Sequence, residues 1–218
     1  IANEHNDLKT KFIQNISSQM EPTLNTLGAS AKDLSAKAPQ QAEQMQAQVA
    51  ALKQFSDDIQ ELSLLENSLT EPYEMGEVNA GTFCENVMEK AKEFMKPDVT
   101  PSVNAPKLQV KTNKEQLERI LLYLLKNAAF YTEQGRISLD FKKRGAHTHQ
   151  FIITDTGTGI SAEQQENLFK PFTQVKDLTT GDGLGLPICS LIATKMNGSL
   201  TLDTGYTKGC RFILELHA

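Results

Sequence analysis

The 218-residue sequence has no tryptophan, only three cysteines and four histidines, and no run of about 18 apolar residues. Without such a run, we expect no segment of this chain to cross a membrane. Cys84, Cys189 and Cys210 are widely spaced and form no Cys-x-x-Cys pair. This spacing favours a reducing compartment and argues against a disulfide framework or a cysteine-based zinc site. With 13 glycines and 8 prolines, the chain is neither collagen-like nor of low complexity.

The charge balance is mildly acidic, with 22 Lys and Arg residues against 27 Asp and Glu residues, a formal charge of −5. An acidic chain is a poor candidate for a large basic nucleic-acid-binding face, so we expect no nucleic-acid partner. Hydrophobic residues make up 39% of the sequence, enough to form a buried core. The chain begins at Ile1 without a methionine, and we expect it to be part of a longer protein. Any membrane or sensing part would then lie outside it.

The first 70 residues or so carry apolar side chains at steps of three and four, a spacing that predicts two amphipathic helices. One series comprises Leu8, Phe12, Ile16, Met20, Leu24, Leu27, Ala31 and Leu34, and the other Met45, Val49, Leu52, Phe55, Ile59, Leu62, Leu65 and Leu69. Pro39 interrupts the pattern between them, which predicts an antiparallel hairpin. A second apolar flank predicts that two hairpins pair as a homodimeric four-helix bundle. The alternative is that the hairpin packs on the rest of its own chain.

Pro72 is predicted to end the second helix, because the residue before a proline is disfavoured in a helix. After Pro72 the sequence pattern changes. Helices are then predicted over residues 83–95, 114–130 and 187–196, and strands over 135–141, 150–155, 199–203 and 211–216. Helices and strands in this irregular order indicate a two-layer α/β sandwich. The predicted fold is therefore α+β, with a helical hairpin at residues 1–71 and a sandwich domain at residues 72–218.

A first glycine cluster follows the strand predicted to end at Asp155, where residues 155–160 read DTGTGI. A carboxylate at a strand end can accept a hydrogen bond from an exocyclic amine such as that of adenine. Gly157 and Gly159 would let the backbone approach a ligand closely. The same residues also suit a simple tight turn, and the motif by itself does not separate the two interpretations.

A second glycine cluster, GDGLGL at residues 181–186, precedes the last predicted helix. Backbone N–H groups at Gly181, Gly183, Leu184 and Gly185 suit phosphate oxygens at a helix N-terminus. The cluster is neither a P-loop nor a dinucleotide-binding fingerprint. Earlier in the chain, Asn127 closes an apolar helix. Its amide would either bond the helix end or coordinate magnesium.

Taken in order, Asn127-Ala128 with Tyr131-Thr132, then DTGTGI, LFKPF and GDGLGL, resemble the nucleotide-binding boxes of the sensor histidine kinases of two-component systems. The sequence GCRF at residues 209–212 resembles the last glycine motif of that family. Residues 8–17 resemble the approach to its phosphoacceptor box. The resemblance covers essentially the whole chain, and it implies a dimerising phosphoacceptor hairpin followed by an ATP-binding domain of the Bergerat, or GHKL, type.

The resemblance also assigns roles and partners. It implies that Asp155 binds the adenine amino group in a pocket shaped by Gly157 and Gly159. It makes Asn127 a ligand of Mg²⁺ and places Tyr131 beside the nucleotide. It implies that Gly181, Gly183, Leu184 and Gly185 hold the phosphates of ATP. It further implies a response-regulator receiver domain as partner, and a cytoplasmic location within a membrane-bound bacterial sensor.

The phosphoacceptor box departs from the family. Aligned on the preceding residues, Ser18 stands where the family has its histidine, and Gln19 where it has an acid. Pro22 and Thr23 also differ from the usual residues. Gln19 cannot remove the proton of a serine hydroxyl, so a phosphorylated Ser18 is disfavoured against a solvated helix-face serine.

The nucleotide boxes carry departures as well, at Tyr123, Phe130 and Cys210. Tyr123 stands where the gyrase-like ATPases have a catalytic glutamate, and it cannot activate water, which disfavours an ATPase of that kind. Phe130 replaces a basic residue that contacts phosphate, and Cys210 replaces a threonine that lines the adenine pocket. The sequence leaves two interpretations open, a histidine kinase core and a non-enzymatic pseudokinase that senses nucleotide or acts as a scaffold.

Overall fold

The computed structural model describes residues 2–35, 38–145, 147–171 and 183–217, without the side chains of residues 2–12, Asn15 and Gln19. The helices are α1 (Ala2–Leu34), α2 (Pro39–Asn67), α3 (Ala80–Ala91), α4 (Lys114–Tyr131), α5 (Ala162–Gln165) and α6 (Gly185–Lys195). The strands are β1 (Gly76–Asn79), β2 (Val99–Asn104), β3 (Gln109–Thr112), β4 (Gly135–Lys143), β5 (Thr148–Asp155), β6 (Gly198–Leu202) and β7 (Arg211–His217). No helix in the described part of the chain is long and apolar enough to span a bilayer.

The described residues divide into two compact units. The first lies within Ile1–Leu69 and Leu168–Ile188, and the second within Thr70–Asn167 and Cys189–Ala218. The hairpin α1–α2 belongs to the first unit, and all seven described strands belong to the second. The predicted fold class, a helical hairpin followed by a mixed helix and sheet domain, is confirmed.

The two helices of the hairpin pack on each other through small and medium side chains. On α1 the buried residues Ser17, Leu24 and Ala31 recur every seven positions. On α2, Ala42 and Ser56 are buried at a multiple of the same spacing. Positions seven apart in a helix lie on nearly the same face, so each helix presents one stripe to its neighbour.

A second apolar stripe runs along α1 beside the buried one. Ile16, Leu27 and Leu34 are 43%, 40% and 42% exposed, and their spacings of eleven and seven residues place them on one face of the helix. Large aliphatic side chains in such a row leave an apolar strip on the surface of the single hairpin.

The second helix ends earlier than the proline at position 72 led us to expect. It ends at Asn67, where the backbone N–H of Ser68 donates to the carbonyls of Leu64 and Leu65. Leu69, the last residue of the predicted apolar series, therefore lies beyond the helix.

The main sheet of the second unit has five strands in the order β2-β4-β5-β7-β6. The β2–β4 pair is parallel and the other pairs are antiparallel. Along β4, Ile137, Leu139 and Phe141 are buried and alternate with more exposed residues, so one face of the sheet forms the core. The helices α3 and α4 pack on each other and on this sheet.

Three strands were not anticipated from the sequence: β1, β2 and β3. The strand β2 contains Pro101, a residue that normally argues against a strand. Pro101 is tolerated because β2 is an edge strand with only β4 as its neighbour. The strands β1 and β3 are four residues each and pair only with each other, too short for alternation to reveal them.

The other predicted elements agree with the structure to within a few residues, and the shifts have local causes. The helix α3 begins at Ala80, three residues before its predicted start, because the side chain of Asn79 accepts a hydrogen bond from the backbone of Thr82 and caps the helix. Asn113 caps α4 in the same way by accepting from the N–H of Gln116. The buried face of α4 then runs from Leu117 to Ala129.

Candidate functional site

The strand β5 ends in a buried carboxylate, Asp155, which is 4% exposed. Its Oδ1 accepts hydrogen bonds from the backbone N–H of Gly157 at 2.9 Å and of Cys210 at 3.1 Å. Burial raises the pKa of Asp155, and the two backbone hydrogen bonds offset part of this rise. No described residue donates to Oδ2. The site therefore holds a fixed carboxylate with one oxygen able to accept another hydrogen bond.

The turn after Asp155 packs against the end of α4. The backbone N–H of Thr158 donates to the carbonyl oxygen of Tyr131 at 3.2 Å. A Cβ at Gly157 would lie 2.4 Å from that same oxygen and 2.9 Å from Thr132 Oγ1, so only glycine permits this approach. Gly159 continues the turn with a positive φ of 73°. The turn therefore brings the predicted residues Asp155, Gly157 and Tyr131 together.

Backbone groups just before β7 complete the surroundings of Asp155. Gly209 has a φ of 143°, and a Cβ there would lie 2.1 Å from the carbonyl oxygen of Asp155. The Tyr206 hydroxyl donates to the same carbonyl oxygen at 3.2 Å. Burial, and secondarily the charge of Asp155, raises the pKa of the Cys210 thiol to about 12, so the thiol is neutral. Of these residues, Tyr206 had no signal in the sequence, whereas Gly209 and Cys210 lie in the GCRF motif.

The last turn of α4 carries three further polar side chains. Asn127 is half-buried, and its amide makes no hydrogen bond to a described residue. Tyr131, four positions later and therefore on the same helix face, is 53% exposed and makes an edge-to-face contact with Phe130. Thr132 is fully buried, and its Oγ1 has no hydrogen-bond partner. A buried hydroxyl without a partner is costly, and beside Asp155 it marks a place that accommodates a polar ligand.

Of the second glycine cluster, Gly181 lies outside the described residues. Gly183 has a positive φ of 71°, and Leu184 is fully buried. The helix α6 begins at Gly185, and the N–H of Ile188 donates to the Leu184 carbonyl. These residues belong to the first unit, whereas Asp155 and Asn127 belong to the second.

The phosphoacceptor-like segment lies within α1. Ser18 is exposed, and Gln19 is helical, with its side chain outside the described set. The neighbouring Ser17 is 6% exposed and lines a cavity of about 20 Å³ between α1 and α2. Pro22 lies inside the helix and has no N–H, so the Ser18 carbonyl cannot receive the usual helical hydrogen bond from residue 22.

Residues 112–218 match the family of histidine kinase-, DNA gyrase B- and HSP90-like ATPases. The matched segment comprises 107 of the 218 residues. The match begins at the end of β3 and includes α4, the turn after Asp155 and the strands β4 to β7. The expected nucleotide-binding domain type is thereby confirmed at the level of the family.

Similar proteins include a sensor protein and a sensor histidine kinase. The chain is 25% identical over 224 residues to the aerobic respiration control sensor protein ArcB of Escherichia coli, covering 96% of this chain but 29% of ArcB. The sensor histidine kinase RppB of Synechocystis sp. is 35% identical over 126 residues, 55% of this chain and 27% of RppB. The resemblance to sensor histidine kinases is thus confirmed, and the chain spans less than a third of the length of these two relatives.

The structure of full-length ShkA in complex with AMPPNP has the same fold, with a TM-score of 0.73. It is 22% identical and aligns with 95% of this chain and 46% of its own. At this identity the comparison shows the fold alone.

We predict that Asp155→Asn changes how the stability of the folded chain depends on pH. Because burial raises the folded-state pKa of Asp155 above its ordinary value of 3.8, the folded state binds this proton more tightly than the unfolded state. The contribution of Asp155 to stability is therefore greatest below 3.8 and is lost as pH rises through the folded pKa. Asparagine does not titrate, and its Oδ1 can still accept from Gly157 and Cys210.

The measurement is urea unfolding of both proteins at several pH values from about 4 to about 8. The stability of the Asn variant relative to the wild type should increase as pH rises through this window. Parallel stability curves, or a relative loss in the Asn variant at neutral pH, would contradict the assignment of a burial-raised pKa to Asp155.

Proposed function

We propose that the chain is the ATP-binding and dimerisation core of a two-component sensor histidine kinase, whose ATPase domain binds ATP with Mg²⁺. The observation that carries the proposal is the buried Asp155 carboxylate, held through Oδ1 with no described donor on Oδ2. An acceptor fixed in this way binds a donor without having to reorganise. The exocyclic amine of adenine is such a donor.

The surroundings of Asp155 suit a flat, partly apolar base. Gly157 lets the turn approach the end of α4 closely, and the neutral thiol of Cys210 adds no charge. The unpartnered hydroxyl of Thr132 offers a further polar contact. Tyr131 presents a half-exposed ring on the same helix end and would lie beside the nucleotide.

The residues present also fit a magnesium ion and phosphates. Asn127 has an amide oxygen without a described partner, a hard oxygen ligand of the kind that Mg²⁺ accepts. A Mg²⁺ ion held there would supply positive charge to offset the charge that develops on the transferred group. By resemblance to the family, Gly181, Gly183, Leu184 and Gly185 would hold the phosphates. The AMPPNP complex of ShkA, an adenine nucleotide on the same fold, supports this proposal.

The phosphoacceptor segment favours a second candidate function, that of a pseudokinase. Ser18 is exposed on α1, where a side chain is accessible to an ATP-bound domain, but serine is a weak nucleophile without a neighbouring base. Gln19 is not a base. A chain that binds ATP without phosphorylating itself would signal through nucleotide occupancy and through its partners.

The partners follow from the hairpin and from the relatives. The exposed stripe of Ile16, Leu27 and Leu34 lies beside the stripe that faces α2, so a second copy of the hairpin could bury it in a four-helix bundle. A response-regulator receiver domain is the expected second partner. We place the chain in the cytoplasm, with any membrane attachment supplied by other parts of the full protein.

We predict that ATP with Mg²⁺ stabilises the wild-type chain. At about 100 times the dissociation constant, ligand binding raises the free energy of unfolding by about 2.7 kcal/mol. Asp155→Asn should bind about tenfold or more weakly, because its NH₂ group cannot accept from adenine. The measurement is thermal unfolding against ATP concentration, with Asp98→Asn, an exposed acid of the same unit, as the matched control.

Equal affinities of the Asp155 and Asp98 variants, or no shift of the wild type at millimolar ATP, would exclude this site. The role of Asn127 in binding Mg²⁺ is tested with the variant Asn127→Ala. This variant should keep the stabilisation by ATP in the presence of EDTA and lose the additional stabilisation by Mg²⁺.

We predict that the wild-type chain takes up no label from ATP labelled at the γ-phosphate, because position 18 has no histidine and position 19 has no base. The double variant Ser18→His with Gln19→Glu should acquire acid-labile label, since it supplies both to an intact ATPase domain. Ser18→Ala with Gln19→Glu is the matched control. Acid-stable label on the wild type that disappears in Ser18→Ala would show instead that Ser18 is a phosphoacceptor.

We predict that the chain is a dimer and that Leu27→Asp shifts it to a monomer, since a carboxylate in the apolar stripe would be buried without a partner. Asn25→Asp adds the same charge two residues away, on nearly the opposite face of α1, and should leave the dimer intact. Sedimentation equilibrium at micromolar concentration measures both. A monomeric wild type, or equal effects of the two variants, would contradict dimerisation through this stripe.

A further inference from the structure

The outer face of the five-stranded sheet carries a polar groove of about 470 Å³. Its lining comes from β2, β4, β5 and the segment that leads into β7, namely Thr100, Gly135, Arg136, Ser138, Asp140, Thr154, Thr156, Tyr206 and Arg211. On β4 these are the residues that alternate with the buried Ile137 and Leu139, so the groove lies on the opposite face from the core. All of it belongs to the second unit.

The strand register brings the two arginines of the groove near each other. Thr154 pairs with Ser138 on one side and with Arg211 on the other, and Arg136 is two residues before Ser138 on β4. The strands of Arg136 and Arg211 lie two strand spacings apart, about 10 Å, and the offset of two residues along β4 makes the separation of the two Cα atoms about 12 Å. Two arginine side chains at this separation can reach one ligand between them.

Two threonine hydroxyls in the groove are oriented as donors. Thr154 Oγ1 accepts from Arg211 Nε at 3.2 Å, and Thr156 Oγ1 accepts from the backbone N–H of Arg136 at 3.0 Å. An oxygen that accepts in this way keeps its own O–H for another acceptor. The two hydroxyls therefore add donors to those of the arginines.

The two arginines differ in how they are held. Arg211 is fixed by Thr154, by Asp203 Oδ2 at 3.2 Å from Nη1, and by the Tyr206 ring, whose centroid lies 4.2 Å from the guanidinium carbon. Arg136 is exposed, and no described acidic residue pairs with it. The only acid in the lining, Asp140, accepts from the Ser138 hydroxyl through Oδ2 at 2.9 Å. The Arg136 guanidinium therefore forms no ion pair with a described residue, while Asp140 places a negative charge elsewhere in the lining.

We infer that this groove binds a small molecule through a phosphate group, either a phosphate monoester or inorganic phosphate. Two guanidinium groups and two hydroxyls on three strands approach from different directions, which suits a tetrahedral anion better than a planar carboxylate. The volume is that of a small-molecule pocket. Arg211 already covers one face of the Tyr206 ring, the one aromatic ring in the lining.

The inference does not depend on ATP binding, since the groove and the Asp155 carboxylate lie on opposite faces of β5. The test is a ¹H–¹⁵N NMR titration of the whole chain with inorganic phosphate and with glycerol 2-phosphate, against sodium chloride of equal ionic strength. Saturable changes in the amide chemical shifts are expected at Arg136, Thr154 and Thr156. A higher affinity for the ester than for phosphate identifies a monoester as the ligand, and equal affinities identify inorganic phosphate.

Arg136→Gln should weaken binding of both probes about tenfold or more, since it removes a charged hydrogen-bond donor. Its side chain makes no hydrogen bond or ion pair with a described residue, so the fold should be unaffected. Lys142→Gln is the matched control, because it removes the same charge from the same face of β4 outside the groove. Arg211→Lys, which keeps the charge but loses the planar fork, should also weaken binding.

Three outcomes would overturn the inference. The Arg136 and Lys142 variants could bind the probes with equal affinity, the chemical-shift changes could be confined to Gly157 and Gly159, or the titration could show no saturation.

Discussion

The pair of hydrogen bonds that Asp155 Oδ1 accepts from Gly157 and Cys210 is the interaction on which the site depends. It joins the end of β5 to its own turn and to the start of β7, 55 residues later in the chain. This turn also packs on the end of α4, where the N–H of Thr158 donates to the Tyr131 carbonyl. A buried carboxylate is costly unless it is hydrogen-bonded, and here backbone groups supply the bonds without a counter-charge. The second carboxylate oxygen therefore keeps its ability to accept.

The same strands serve two faces of different chemistry. Because side chains alternate along β5, Asp155 lies on the core side while Thr154 and Thr156 lie on the outer side. The core side offers an acceptor for a base, and the outer side offers donors for an anion. The Tyr206 hydroxyl, which bonds the Asp155 carbonyl, belongs to the lining of the outer groove, so the two faces share backbone.

The fold could largely be predicted because most of its helices and strands have a recognisable pattern of apolar residues in the local sequence. The apolar periodicities predicted α1, α2 and α4, and alternation predicted β4, β5, β6 and β7. The missed strands lack such signals. The strands β1 and β3 are too short to show an alternating pattern, and β2 contains Pro101, which normally argues against a strand. The candidate site was predicted in part. Asp155, Gly157 and Tyr131 lie together, but their motifs carried no sign of Tyr206, whose place near Asp155 depends on chain folding.

From residue types and spacing alone, one can derive the helical hairpin, the mixed helix and sheet domain and the glycine turns. Each of these depends on neighbours within a few positions, where steric preference and periodicity act. The tertiary structure decided which backbone groups hold Asp155, why Gly157 and Gly209 admit no side chain, and that Arg136 and Arg211 share a groove. Those features arise from strand pairing between distant segments, and pairing is set by how the whole core packs rather than by any local pattern.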